Sequence, residues 1–281
     1  MTARRWSTPA TPDEVRVHFG RERPLVGMVH LLPLPGSPRF GGSIGAVIER
    51  ARADAEVLLA EGMDGVLVEN FGDAPFAGGR VEAVTVAAMT MAVEAVRRVA
   101  GERPVGVNVL RNDAASALGV AAATGASFIR VNVHTGVMFT DQGVLEGEAH
   151  RTLRERERIA PDLLVLGDVL VKHAAAPAGI DPQMAAADLR ERGLADILIA
   201  SGARTGAPTD PARVEAVRRG APGAPVWVGS GMTVENAAEL ISVADGVIVG
   251  SVLHRGGEVG RGIEGARVRA LVEELRGSGG R

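Results

Sequence analysis

Apolar residues in this chain fall into short unbroken runs, separated by Ala-rich stretches that repeat apolar positions at helical spacing. Continuous rather than alternating runs describe strands buried on both faces, the pattern of a parallel sheet covered by helices. The runs predict strands at 25–30, 64–69, 104–109, 127–131, 163–171, 196–200, 225–228 and 245–249. The intervening periodicity predicts helices near 43–61, 81–100, 114–124, 148–159, 182–192, 210–219, 233–242 and 264–276. Boundary residues agree with these spans. Gly62, Gly125 and Gly193 follow last turns, where the next residue commonly takes the left-handed conformation, and Thr209-Asp210-Pro211 joins a capping residue to a first-turn proline.

Eight strand–helix units running on without a linker or a shift in composition predict an α/β fold, a (β/α)8 TIM barrel with a short N-terminal arm. The expected layout is an arm over 1–24, one barrel domain over 25–276 and a frayed end over 277–281. A doubly wound open sheet is the competing architecture.

Composition narrows the function classes. A hydrophobic content of 46% in 281 residues is ample for a large core, and with aromatics at 3% that core must be built from Val, Ala, Leu and Ile. The absence of Cys removes disulfides, thiolate catalysis and Cys-ligated metal together. A net charge of -3 with dispersed basic residues gives no footprint for a nucleic acid polymer. No apolar run approaches the roughly 20 residues of a membrane span. The arginines at positions 4 and 5 are followed by no apolar segment, so a cytoplasmic location is expected rather than secretion. The apolar helix over 84–99 presents more than one face of Ala, Val and Met, which points to a homo-oligomer.

The chain's 31 basic residues include a single lysine, Lys172, at the end of the fifth strand run beside His173. An ammonium can lose its proton and attack a carbonyl, or act as a compact charge on a phosphate; a guanidinium stays protonated. Polar residues collect where the active end of such a barrel lies, at the C-terminal ends of the strands. In order these are His30, then Glu69, Asn70 and Asp73, then Asn108 and Arg111, then Arg130, Asn132, His134 and Asp141, then Asp168, Lys172 and His173, then Ser201 and Thr205. Asp113 and Asp210 read better as helix caps. Strand parity puts 168, 170 and 172 on one face, making Asp168 the expected proton partner that keeps Lys172 charged. The last strands end only in glycines and serines, and Ser201-Gly202, Gly229-Ser230-Gly231 and Gly250-Ser251 form a candidate phosphate site, because glycine lets backbone N–H groups approach an anion.

Longer stretches carry a resemblance. Residues 28–38 (Met-Val-His-Leu-Leu-Pro-Leu-Pro-Gly-Ser-Pro), 68–76 (Val-Glu-Asn-Phe-Gly-Asp-Ala-Pro-Phe), 106–113, 128–133, 140–143, 168–174 and 229–231 together make the chain similar to the BtpA/SgcQ family of ribulose-phosphate-binding-type barrels. One departure is Ser201, where that family more often carries Thr; the hydroxyl is kept. The resemblance implies the barrel and a site at its mouth but no settled reaction, since one branch is named for photosystem I biogenesis and another has been thought nucleosidase-like.

The resulting expectation is an enzyme on a phosphorylated sugar or nucleotide-like small molecule, cleaving or forming a glycosidic bond at the anomeric carbon. Lys172, Asp168, Glu69 and Asp141 would be catalytic, and His30, Asn70, Asn108, Arg130, Asn132 and His173 would bind substrate. The alternatives are a Schiff-base aldolase or isomerase using Lys172, and a non-catalytic assembly factor. No cofactor is fixed by the sequence, and Glu69, Asp73, Asp141 and Asp168 leave a divalent metal such as Mg2+ open.

Overall fold

The computed structural model describes residues 8–202 and 209–278. It opens with α1 (Pro12–Phe19), whose start is fixed by a capping box: Glu14 N donates to Thr11 Oγ1, and Thr11 N donates to Glu14 Oε2. The barrel then begins with β1 (Leu25–His30), α2 (Ile44–Ala60), β2 (Gly65–Glu69), α3 (Ala83–Ala100), β3 (Val105–Asn108), α4 (Ala114–Thr124) and β4 (Phe128–Val131). A hairpin follows, β5 (Val137–Thr140) and β6 (Gly143–Glu146), before α5 (Ala149–Ile159) and β7 (Leu164–Val169). The chain continues through a two-residue strand β8 (Ala174–Ala175), α6 (Pro182–Ala187), β9 (Ile197–Ala200), α7 (Pro211–Gly220), β10 (Val226–Val228), α8 (Val234–Val243), β11 (Gly246–Val249) and α9 (Gly265–Ser278).

Among the described residues eight strands close a parallel barrel in the order β1-β11-β10-β9-β7-β4-β3-β2. The fold is the TIM barrel that the run pattern predicts. Strand side chains alternate between two cores. Val29, Val66, Val107, Ile129, Val165 and Val247 meet the helices, while Val26, Leu67, Phe128, Leu166, Ile199, Trp227 and Ile248 fill the barrel interior. An aromatic-poor chain thus spends two of its large rings inside the barrel. Small neighbours make room for them: a Cβ on Gly106 would lie 2.1 Å from Phe128 Cε2, and one on Gly246 would lie 2.6 Å from Trp227 Cε2.

The expected arm is ordered over its described part and lies under the N-terminal ends of the strands. Phe19 packs its ring 4.9 Å from Trp227 and 5.4 Å from Phe128. Ala10 N donates to Asp196 Oδ1 at 2.8 Å, and the same buried carboxylate accepts from Arg156 and Val165 N. On α3, Val84 and Met91 are exposed. Among the described residues no helix is long and apolar enough to cross a membrane.

Two local expectations fail, and one hairpin lies outside the predicted strands. The fifth strand run, predicted over 163–171, stops at Val169 because Leu170 takes φ 54°, a left-handed turn that ends extension. Residues 140–143 form the turn of the unpredicted β5–β6 hairpin, with Gly143 at φ 95°. Gly125 caps α4 in the left-handed conformation, but Gly193 does not adopt it; a Cβ there would strike Thr135 and the Leu189 carbonyl, so glycine serves close packing.

Candidate active site

Glu69 and Asn108 are the last residues of β2 and β3, and register sets them side by side, with His30 across from Glu69 on β1. Arg130 and Asp168, on the adjacent strands β4 and β7, form a two-point ion pair, with Nε and Nη2 donating to the two carboxylate oxygens at 3.0 and 3.1 Å. Asn132 Nδ2 also donates to Asp168 at 2.9 Å, and Asn108 Nδ2 donates to Asn132 Oδ1 at 3.2 Å and to the Arg130 carbonyl. Asp168 is therefore engaged by Arg130 and Asn132, and it borders a separate cavity beneath the β4 loop.

This overturns the expected Asp168–Lys172 pairing. The left-handed turn at Leu170 breaks strand parity between positions 168 and 172. Arg213 of α7 donates to the Val169 and Leu170 carbonyls, and Arg111 Nη2 donates to the Lys172 carbonyl at 2.8 Å, so two arginines hold this turn. Burial, reinforced by Arg130, lowers the Lys172 pKa despite the opposing pull of Glu69 and Asp168. Burial likewise raises the Glu69 pKa, against the opposing pull of Arg130, Lys172 and Arg111. Burial thus favours the neutral form of each group.

Lys172 and Glu69 share their wall with a cavity of about 220 Å³. Gly229, Ser230, Gly231, Gly250 and Ser251 line the same cavity, with Thr233 at the start of α8. Its floor includes His30, whose Nδ1 lies 2.9 Å from Nε2 of His254 and whose Nε2 lies 3.9 Å from Glu69 Oε1. Burial, followed by the nearby charges of His254, Lys172 and Arg130, lowers the His30 pKa, and burial also lowers that of His254, so a neutral pair shares one N–H between its rings. A Cβ on Gly250 would lie 2.8 Å from His30 Cε1, so the glycine permits the imidazole to stand against that loop.

A second cavity of about 430 Å³ opens from the same wall. Glu69, Phe71, Arg130 and Lys172 border both, and Asn132, Asp141, His173 and Arg111 line the second alone. The cleft is thus two-armed, with Lys172 and Glu69 at the junction.

Several expected residues lie elsewhere. Asn70 and Asp73 brace the β2 loop: Asn70 donates to Asp73 at 3.0 Å and accepts from Leu110 N, and Asp73 accepts from Leu34 N. Ser201 is fully buried and does not line either arm; its Oγ lies 3.2 Å from where a Cβ on Gly229 would sit, one layer below the loop. Gly202 is buried beside it, and Thr205 lies outside the described residues. Asn108 is beneath the cleft rather than on it. Asp113 and Asp210 cap α4 and α7. Glu69, Asp73, Asp141 and Asp168 do not gather, and among the described residues no three His, Asp or Glu side chains are placed to hold a metal ion.

His254 is the main residue that the strand-end reading misses, because it arrives from a 3-10 turn (Ser251–Leu253) after β11 rather than from the strand end itself. Arg213 reaches the site from within α7, and neither position carries a sequence signal.

Buried ionisable groups and two glycine–serine loops at the C-terminal mouth define a TIM-barrel protein with a built ligand cleft. The chain belongs to the BtpA family, whose sequence profile matches residues 21–277. It is 49% identical over 257 residues to the photosystem I biogenesis protein BtpA of Synechocystis sp., covering 92% of this chain and 89% of that one. It is 31% identical over 266 residues to the putative sgc region protein SgcQ of Escherichia coli, covering 92% and 96%. Among solved structures, Mycobacterium tuberculosis tryptophan synthase superposes with a TM-score of 0.58 at 23% identity, covering 95% of each chain, a likeness of fold.

Proposed function

We propose that this protein is an enzyme acting at the anomeric or carbonyl carbon of a phosphorylated sugar or nucleotide-like small molecule. One observation carries the reading: a single cavity is lined both by the Gly-Ser loops after β10 and β11 and by Glu69, Arg130 and Lys172. Phosphate would sit against Ser230, Gly231, Gly250 and Ser251, near the start of α8, where backbone N–H groups and the helix dipole favour an anion. The reacting carbon would then reach the junction.

For glycosidic chemistry, Glu69 supplies the general acid, since it lines the junction and burial favours its protonated form. Arg130 and Lys172 would bear on the departing group, and Asp141 would approach from the hairpin tip. Isothermal titration tests the phosphate arm. Ribose 5-phosphate should bind at least about tenfold more tightly than ribose, and Ser251→Asp should erase that preference by setting a carboxylate against the phosphate. Equal binding of the two sugars removes the reading.

A second reading, imine formation by Lys172, is supported by the lowered lysine pKa and by the engagement of Asp168 with Arg130. An uncharged amine can add to a sugar carbonyl, and Glu69 can protonate the carbinolamine oxygen as water leaves. On this second reading, borohydride added with a keto- or aldo-sugar phosphate traps an adduct on this sole lysine, detected by mass spectrometry of the peptide containing Lys172. An untouched lysine under turnover leaves the glycosidic reading alone. The assembly-factor alternative draws on the name of the Synechocystis relative, but it gives no role to the titratable groups around the cleft.

A further inference from the structure

We propose that the second arm of the cleft receives a planar aromatic or heterocyclic group bearing an acidic substituent, so that the substrate is a phosphosugar joined to such a group. The inference rests on the phosphate-arm reading above and extends it to the other end of the molecule. A ligand anchored by phosphate in the first arm and long enough to pass Glu69 and Lys172 must enter the second, because the two arms share that wall.

The second arm has the surfaces that such a group needs. The chain has six Phe and no Tyr, yet two of the six, Phe71 and Phe76, stand together here with ring centroids 6.4 Å apart at 56°. Both are half-buried, and Leu110 continues the apolar wall. Faces of this kind hold a flat ring by offset or edge contacts.

Beyond Glu69 at the junction, the buried ionisable groups of this arm are arginines. Arg111 is 5% exposed, and its guanidinium donates from Nη2 to the Lys172 carbonyl, with further N–H groups left over. A guanidinium presents five N–H donors in a planar fork, and a carboxylate or similar acid matches it in two-point geometry. Of the two arginines lining this arm, Arg130 is already matched to Asp168, so Arg111 is the guanidinium left to a ligand. Asp141 lines the arm from the exposed hairpin tip, where solvent screens its charge. His173, at φ 55°, is held in a left-handed conformation that a non-glycine residue seldom takes, and this turns it onto the same arm.

Titration of the full chain with three probes tests this: ribose 5-phosphate, nicotinamide mononucleotide and nicotinate mononucleotide. The last two differ only in an amide against a carboxylate. Nicotinamide mononucleotide should bind about tenfold more tightly than ribose 5-phosphate, and the nicotinate form about tenfold more tightly again. Phe76→Ala should bring both mononucleotides toward the affinity of ribose 5-phosphate, which stays unchanged. Arg111→Gln should cancel the difference between amide and carboxylate. Three probes binding within twofold of one another overturn the inference even if ribose 5-phosphate still outbinds ribose, which leaves the phosphate arm standing. Failure of ribose 5-phosphate to outbind ribose overturns the earlier reading instead. Should Arg111→Gln fail to fold, the ratio of the two mononucleotides on the unaltered chain and on Phe76→Ala decides the matter.

Discussion

At the residue scale, burial without full charge compensation recurs across this barrel mouth, and His134 shows its cost most simply. The imidazole Nε2–H donates to the Gly193 carbonyl at 2.9 Å, which fixes the neutral tautomer. Burial, with Arg156 nearby, lowers its pKa from 6.5 to about 4 despite that bond. The unfolded chain therefore takes up this proton at higher pH than the folded chain. The stabilisation is fully present above pH 6.5 and is lost as pH falls through about 4. The shift corresponds to a loss of roughly 3 kcal/mol across that window. Equilibrium urea unfolding between pH 7 and 4 is expected to show a steep fall in stability, and His134→Gln should flatten it. An unchanged slope would assign the acid sensitivity to other groups.

At the scale of the elements, the barrel depends on glycines that clear space for the rings beside them. Gly106→Ala should destabilise by about 1–3 kcal/mol, since Phe128 is enclosed and must shift to admit a methyl group. The measurement is again urea unfolding, with Gly119→Ala, which meets nothing within 4 Å, as the control. The strands were legible because runs such as 25–30 and 245–249 are apolar on both faces. The hairpin was not, because Val137–Thr140 and Gly143–Glu146 are only four residues each and half exposed, and their pairing depends on a turn and on β8. The same distinction runs through the site. His30, Glu69 and the loops after β10 and β11 stand at strand ends, where position along the chain gives position at the mouth. Ser201, Asn70 and Asn108 also follow strands or end them, yet depth separates them from the cleft, and depth is set by the neighbouring loop rather than by sequence order. The pairing of Asp168 with Lys172 failed through one left-handed residue, Leu170, that no composition signal marks.

At the scale of the whole molecule, the two ends of the barrel differ in kind. The C-terminal end opens into the two-armed cleft. The N-terminal end is stopped by Phe19 of α1 against Phe128 and Trp227, with Ala10 tied to Asp196. Packed side chains fill the interval between, so among the described residues no passage runs through the barrel axis. Traffic follows from that stopper. Whatever the cleft admits must enter and leave at the C-terminal end, and a spent molecule still seated at the junction bars the next arrival. Departure and arrival compete for one junction.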